Sequence, residues 1–417
     1  MRRFADVDYP LVFLALVLSA FGVAAVYSAG QTDFPSIVAG LWRTQTLYLA
    51  LGLGAAWLVS RASVRVLDYL SPAIYGGTLI TLVLLLIGFG RGAGTAKSSK
   101  SWLTFGGVAL GQPSELAKIA VVLMLAKVLS SRGDAPKTLF ELWKPALVVG
   151  VPWLLIMAQP DLGTGIVFIG ILFAMLYWAG TSWTLLLLAA SPAISLIVAF
   201  NTGLWGAWFI LVIVLVVWSR LYIVEGVAVV VANFLFGVAA PLVWERLLEP
   251  HQRQRLQVFL DPSSDPLKSG YHVLQSQVAI GSGGLFGKGF TQGSQKRLAF
   301  LPEQQTDFIF PVIGEELGFL GVVIALALFA WLMMRCIRIA ARSTNPFASL
   351  VAFGLVSMFF VHVLVNVGMT IGVMPITGIP LPFFSYGGSF MLACWIAMGV
   401  LIRLSLEGRG RADTLVI

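Results

Sequence analysis

Two aspartates in Asp-Pro turns, Asp261 and Asp265, share a polar passage with Lys268 and His272: FLDPSSDPLKSGYHVLQSQ, residues 259–277, set between two membrane-length apolar segments. A carboxylate placed there can act as a general base on a hydroxyl. An Asp before Pro is also held extended and often only caps a turn, so the structural reading stays open for both. Asp265 has the better setting, because PLKSGY follows it with a flexible Ser-Gly and a cationic cavity is expected opposite. Glu115 and Lys118 stand three apart and share a helix face. They can form a structural ion pair, or Lys118 can offer a point charge to a phosphate while Glu115 positions it; both can hold at once. Asp161 adds a charge in the turn QPDLGTG, and Glu315 and Glu316 point to neighbouring faces of one apolar run. For that pair, bonding between helices is the favoured reading, with one of the two at most entering a cavity. His362, near Asn366, reads first as a satisfied core histidine. Arg253 and Arg255 in HQRQRLQVF, Arg43 in LWRTQ, and the basic residues Arg91, Lys97 and Lys100 would together build a field suited to a pyrophosphate. Interfacial arginines also bind lipid head groups without specificity.

These residues need a scaffold, and the composition says which kind. Of 417 residues 58% are hydrophobic and only 11% charged, too little polar surface to cover a soluble globule. The fold class is an all-α polytopic membrane protein, a single transmembrane domain over 1–417. Helix-length apolar runs fall near 10–30, 45–60, 70–90, 114–131, 144–158, 163–180, 183–200, 204–219, 221–244, 307–335, 347–372 and 387–405. The N-terminal run reads as a retained span rather than a cleaved signal. A net charge of +8 sits mostly at the ends of these runs, the positive-inside pattern, so nucleic acid is not expected as a partner. Cys336 and Cys394 lie in or beside apolar runs and suggest packing, not a disulfide or thiolate metal site. With both termini cytoplasmic, the long excursion 245–306 faces outward and is expected to hold partial helices against the membrane surface. The ionisable residues gather in the outer halves of the spans, which predicts a polar cavity open to the outer leaflet. A transporter needs polar groups near the midplane and a route through both leaflets, so the pattern favours a catalyst acting on a lipid-linked substrate.

Five separated motifs carry a resemblance: QPSELAKIA, QPDLGTG, DPSSDPLKSGYHVLQSQVAIGSGGLFGKG, LAFLPEQQTDFIFPVIGEELGFLG and NVGMTIGVMPITGIPLPFFSYGGS. In this order, from about residue 90 to 390, they resemble the SEDS family (shape, elongation, division and sporulation), its elongation branch more than its division branch. The resemblance implies a bundle of ten or more transmembrane helices, about twelve here, with a large outer-face catalytic loop at 245–306. The stretch 184–244 looks long enough to add two spans to the family's usual ten. It implies a glycosyltransferase of the inner membrane that polymerises lipid II into peptidoglycan strands for cell-wall elongation and shape. Its implied partners are a class B penicillin-binding protein and other elongation-machinery membrane proteins. Asp265 matches the family's essential acidic residue, Glu115 and Lys118 its cavity pair, and Trp102 its outer-loop tryptophan. Ser276 and Lys288, within the third motif, join Arg43, Asp161, Arg253 and Arg255 as candidate cavity residues.

The implied chemistry has Asp265 take the proton of a GlcNAc 4-hydroxyl as that oxygen attacks the anomeric carbon of a MurNAc donor. Undecaprenyl pyrophosphate leaves, with inversion. Its charge would be met by Lys118, Arg253, Arg255, Arg43 or a divalent cation such as Mg or Mn, with Asp265 as a conceivable ligand. No organic cofactor is expected. A lipid II flippase and a noncatalytic scaffold are the alternatives. A penicillin-type transpeptidase is not expected, since no Ser-x-x-Lys motif lies in an outer globular domain.

Overall fold

The computed structural model describes residues 8–33, 37–91, 102–105, 108–260, 269–298, 300, 301 and 303–412. Every expected apolar run is a helix. The first nine are α1 (Tyr9–Ala29), α2 (Leu41–Ser60), α3 (Val64–Leu84), α4 (Pro113–Ser130), α5 (Trp143–Met157), α6 (Leu162–Trp178), α7 (Trp183–Val198), α8 (Thr202–Trp218) and α9 (Ile223–Leu242). The long excursion holds α10 (Pro250–Leu260), α11 (Ser269–Ser282) and α12 (Ser294–Arg297), as expected of it. Then come α13 (Ile309–Arg342), α14 (Pro346–Thr370) and α15 (Gly388–Ala412).

Local chemistry sets the helix starts. Asp8, Ser63, Asp161, Ser182, Asn201 and Asn345 each accept a hydrogen bond from the first turn they precede. Pro113 and Pro346 occupy first-turn positions where a missing N–H costs nothing. Among the described residues seven helices are long and apolar enough to cross a membrane. α7 and α8, like α6, are shorter apolar helices, 16 and 17 residues long, at the lower end of the length for a crossing. They pack with α9 around a small core of their own, Leu188, Val212 and Val229.

The main core runs through α4 and α14, the two helices that carry Lys118 and His362. α3, α6 and α13 pack around them, and α2 lies along α15. One element departs from the all-helical expectation. Part of the segment read as a basic loop is a three-stranded antiparallel sheet, β1 (Gly90–Arg91), β2 (Trp102–Phe105) and β3 (Val108–Gly111), with a bulge at Leu103/Thr104. Lys97 and Lys100 lie outside the described residues.

α13 is broken at Gly318, whose φ of 66° and ψ of −165° interrupt the helix. The glycine-rich turn after α11 fills the break. Phe319 N–H donates to Gly284 O at 2.8 Å and Leu320 N–H to Leu285 O at 3.1 Å, while Lys288 and Gly289 N–H donate to Glu315 and Glu316 O at 3.0 Å each. Groups freed by the break are thus paired, which an apolar environment demands. Gly287 has φ of 79°, and a Cβ there would overlap the Glu316 carbonyl. Gly287→Ala is therefore expected to lose more than about 1–2 kcal/mol, the backbone cost alone, and to lower the thermal midpoint in detergent. A midpoint equal to wild type would contradict this packing.

Candidate functional site

Because α2 packs on α15 and α3 on α4, a cleft of about 610 Å³ remains between the two pairs. Tyr48 of α2, Ile74 and Thr78 of α3, Leu116 of α4 and Leu392 of α15 form its walls. Trp102 and Leu103 of β2, Gln112, Thr306 and Tyr386 to Ser389 line it where α4 and α15 begin. The sheet thus places Trp102 on the cleft, the one cavity position from the sequence that lines it directly.

Glu115 and Lys118 are not among the lining residues. They face the bundle interior, 4% and 1% exposed, with Lys118 Nζ 2.7 Å from Glu115 Oε2. Lys118 Nζ also lies 2.9 Å from His362 Nε2. The other ring nitrogen, His362 Nδ1, is 3.0 Å from Pro380 O, so it must carry the proton and leave Nε2 as acceptor for the lysine. Lys118 further sits 5.5 Å over the Phe390 ring. Its charge is met inside the protein, and the structural side of the sequence reading is what this geometry supports. His362 is a satisfied core histidine, as expected.

Asp161 caps α6, accepting from Thr164 N at 3.0 Å and Thr164 Oγ1 at 2.9 Å, and it touches Gln112 Nε2 at 3.5 Å. Through Gln112 it borders the cleft. Arg253 is tied back, its Nε donating to Leu248 O at 3.0 Å. Arg255 lines a separate crevice with Val258, Phe259, Val273, Gln277 and Met374. Arg43 is exposed at the start of α2 and lies 5.6 Å over the Trp42 ring. Ser276 anchors α11, its Oγ donating to Thr370 O at 2.7 Å, and Lys288 pairs with Glu315 at 2.8 Å. Glu316 joins Ser28 of α1 at 2.7 Å and pairs with buried Lys296. Both glutamates therefore bond elements together, the favoured reading. Asp261, Asp265 and Lys268 lie outside the described residues.

One further carboxylate of the site does not stand out from the sequence by type or spacing. Asp307, in FLPEQQTDFIF just before α13, is half-buried, and Gly378 leaves room against its carboxylate. Burial pushes its carboxyl up to about 6, with Glu303 and Asp161 adding to the rise and Arg255 opposing it. The raised value favours the protonated native state. Its contribution is complete below the ordinary value of 3.8 and is lost as pH rises through about 6. Asp307→Asn is expected to flatten the fall in thermal midpoint over that window; a parallel fall in both proteins would contradict it. Among the described residues no group of three or more His, Cys, Asp or Glu is placed to hold a metal ion.

The chain matches the family model FtsW/RodA/SpoVE, described as cell cycle protein, over residues 9–205 and 201–410. It is 36% identical over 398 residues to peptidoglycan glycosyltransferase MrdB of Escherichia coli K12, covering 95% of this chain and 93% of that one. It is 33% identical over 438 residues to peptidoglycan glycosyltransferase RodA of Treponema pallidum, covering 97% and 99%. A solved structure of a peptidoglycan synthase complex that coordinates polymerization and crosslinking contains a chain of 30% identity and TM-score 0.71, with 97% of this chain and 98% of that one covered.

Proposed function

The chain belongs to the FtsW/RodA/SpoVE family of cell cycle proteins, and from that membership and the cleft we propose that it is a peptidoglycan glycosyltransferase polymerising lipid II. The observation that carries the proposal is the cleft itself. Its walls are mostly apolar and suit a polyprenyl chain, while Trp102, Gln112, Thr306 and Tyr386 supply stacking and hydrogen-bonding groups at one end for a sugar-phosphate head. Past Lys118 the inward face of α4 is apolar, through Val121, Val122 and Leu125. A polar route across the bilayer is not built along it, which favours a polymerase over a flippase.

In this reading Asp265 is the base. It takes the proton from the acceptor hydroxyl as that oxygen bonds to the donor's anomeric carbon, and the bond to the pyrophosphate breaks with its electron pair leaving on undecaprenyl pyrophosphate. Attack opposite the leaving group inverts the centre. A pyrophosphate leaves well, so one base and a cation suffice, with Arg43, exposed at the start of α2, as the remaining candidate. Lys118 and Glu115 act from behind the wall, holding α4 and the start of the cleft in place. A divalent ion, if bound, would take Asp265 as its protein ligand and supply charge to the substrate phosphates. The active site is assigned to the outer face, with both termini cytoplasmic and a class B penicillin-binding protein as crosslinking partner.

Filling the cleft tests the reading. Gly77 lines it, and a Cβ there meets nothing within 4 Å. Gly77→Phe is expected to leave the thermal midpoint unchanged and to lower kcat/KM for lipid II on the order of tenfold. An unchanged kcat/KM would remove the cleft from substrate binding.

A further inference from the structure

The motif GSGGLFGKG, residues 281–289, is bound backbone to backbone into the break of α13, yet the side chains at its tip are left bare. Leu285 is 66% and Phe286 80% exposed. Their depth follows from α1 and α13, which pack side by side and are pinned at both ends. At one end Asp8 pairs with Arg335, and at the other Ser28 donates to Glu316. α1 is 21 residues long and therefore about 32 Å, close to the ~30 Å of a bilayer's hydrocarbon core. α13 runs on past both of these pins and is broken at Gly318, so the stretch level with α1, from Glu316 to Arg335, is the part that matches the bilayer. Phe319 and Leu320 thus lie inside the hydrocarbon edge. Gly284 and Leu285 are hydrogen-bonded to those two residues, while Lys288 and Gly289, on the way out, bond to Glu315 and Glu316 at the edge.

We propose that residues 283–289 form a re-entrant wedge that inserts Leu285 and Phe286 among the acyl chains of one leaflet, with Lys288 held at the interface by Glu315. The occupant is lipid, because the tip continues the exposed apolar face of a membrane-crossing helix: Phe319, Leu320, Val323 and Ile324 are 63%, 51%, 42% and 49% exposed. Non-helical backbone at that depth is tolerated because both of its edges are paired with α13. Gly283 has no space for a side chain, since a Cβ would overlap the Gly314 carbonyl, so the turn hugs α13 and only its tip projects. The wedge also fixes the depth of α11, which follows the segment carrying Asp265 in the chain. The inference rests on the membrane topology and is independent of the glycosyltransferase reading.

The test places an environment-sensitive fluorophore at Phe286→Cys in full-length protein with Cys336 and Cys394 replaced by alanine. The protein is reconstituted in phosphatidylethanolamine and phosphatidylglycerol vesicles with lipids bearing a nitroxide near the head of the acyl chain. Gln292→Cys, exposed beyond the wedge, is the aqueous control. The expected result is blue-shifted emission and strong nitroxide quenching at Phe286→Cys, with neither at Gln292→Cys. Leu285→Cys reads the same prediction should the first variant fail to reconstitute. Water-like emission without lipid quenching at both tip positions would overturn the wedge. So would shielding of both from lipid with crosslinking to a neighbouring protein, which would make the tip a protein contact.

Discussion

Lys118→Met is expected to destabilise the protein by about 3–5 kcal/mol, because it leaves the Glu115 carboxylate buried without its counter-charge. Glu115 keeps 4% of its surface and Lys118 1%, so water cannot replace the lost partner. Loss of the lysine also strips the His362 ring of the donor at its Nε2. The double variant Glu115→Gln/Lys118→Met is expected to recover most of the loss, since it removes both charges and keeps the volume. Thermal unfolding of the two variants measures this directly. A single variant with wild-type stability and no turnover would instead mean that Lys118 is reserved for substrate, the reading its geometry disfavours.

The sequence made the helices legible because each is an apolar run of nearly membrane length, and α1, α3, α4, α6, α7, α8 and α14 also start on a capping side chain or a proline. It made Glu115 and Lys118 legible as a pair, since three-residue spacing on one helix settles that they meet. It could not show that Lys118 also meets His362, 244 positions away. The same limit hid the clamp of Lys296, Ser28 and Glu316, which joins three elements through residues of ordinary appearance. The small sheet escaped because its strands are two to four residues long and sit among glycines and lysines, where neither the helical nor the alternating period has room to show. The wedge escaped for a different reason: backbone carbonyls and amides, which every residue carries, make its contacts with α13. The arginine field was overdrawn, because Arg253 turns back to the Leu248 carbonyl and Arg255 faces a crevice of its own. Asp307 does not stand out in the sequence, since its interest lies in its burial and then in the charges of Glu303, Arg255 and Asp161, which only the fold brings to it.

The largest functional effect is expected at Asp265. An asparagine has nearly the same shape and no basic oxygen pair, so it cannot accept the hydroxyl proton as the new glycosidic bond forms. A general base contributes about 10²–10⁴-fold, and Asp265→Asn is expected to lose at least that while the protein folds and binds its partner normally. Arg43→Ala, which removes one candidate cation for the leaving group, is expected to cost less.

The most direct measurement is polymerisation of fluorescent lipid II by the purified protein with its class B partner, with moenomycin present to silence contaminating polymerases. Long glycan strands from wild type and none from Asp265→Asn are the predicted result. Equal strands from both proteins would contradict the assignment of the base, and no strands from either would contradict the polymerase itself.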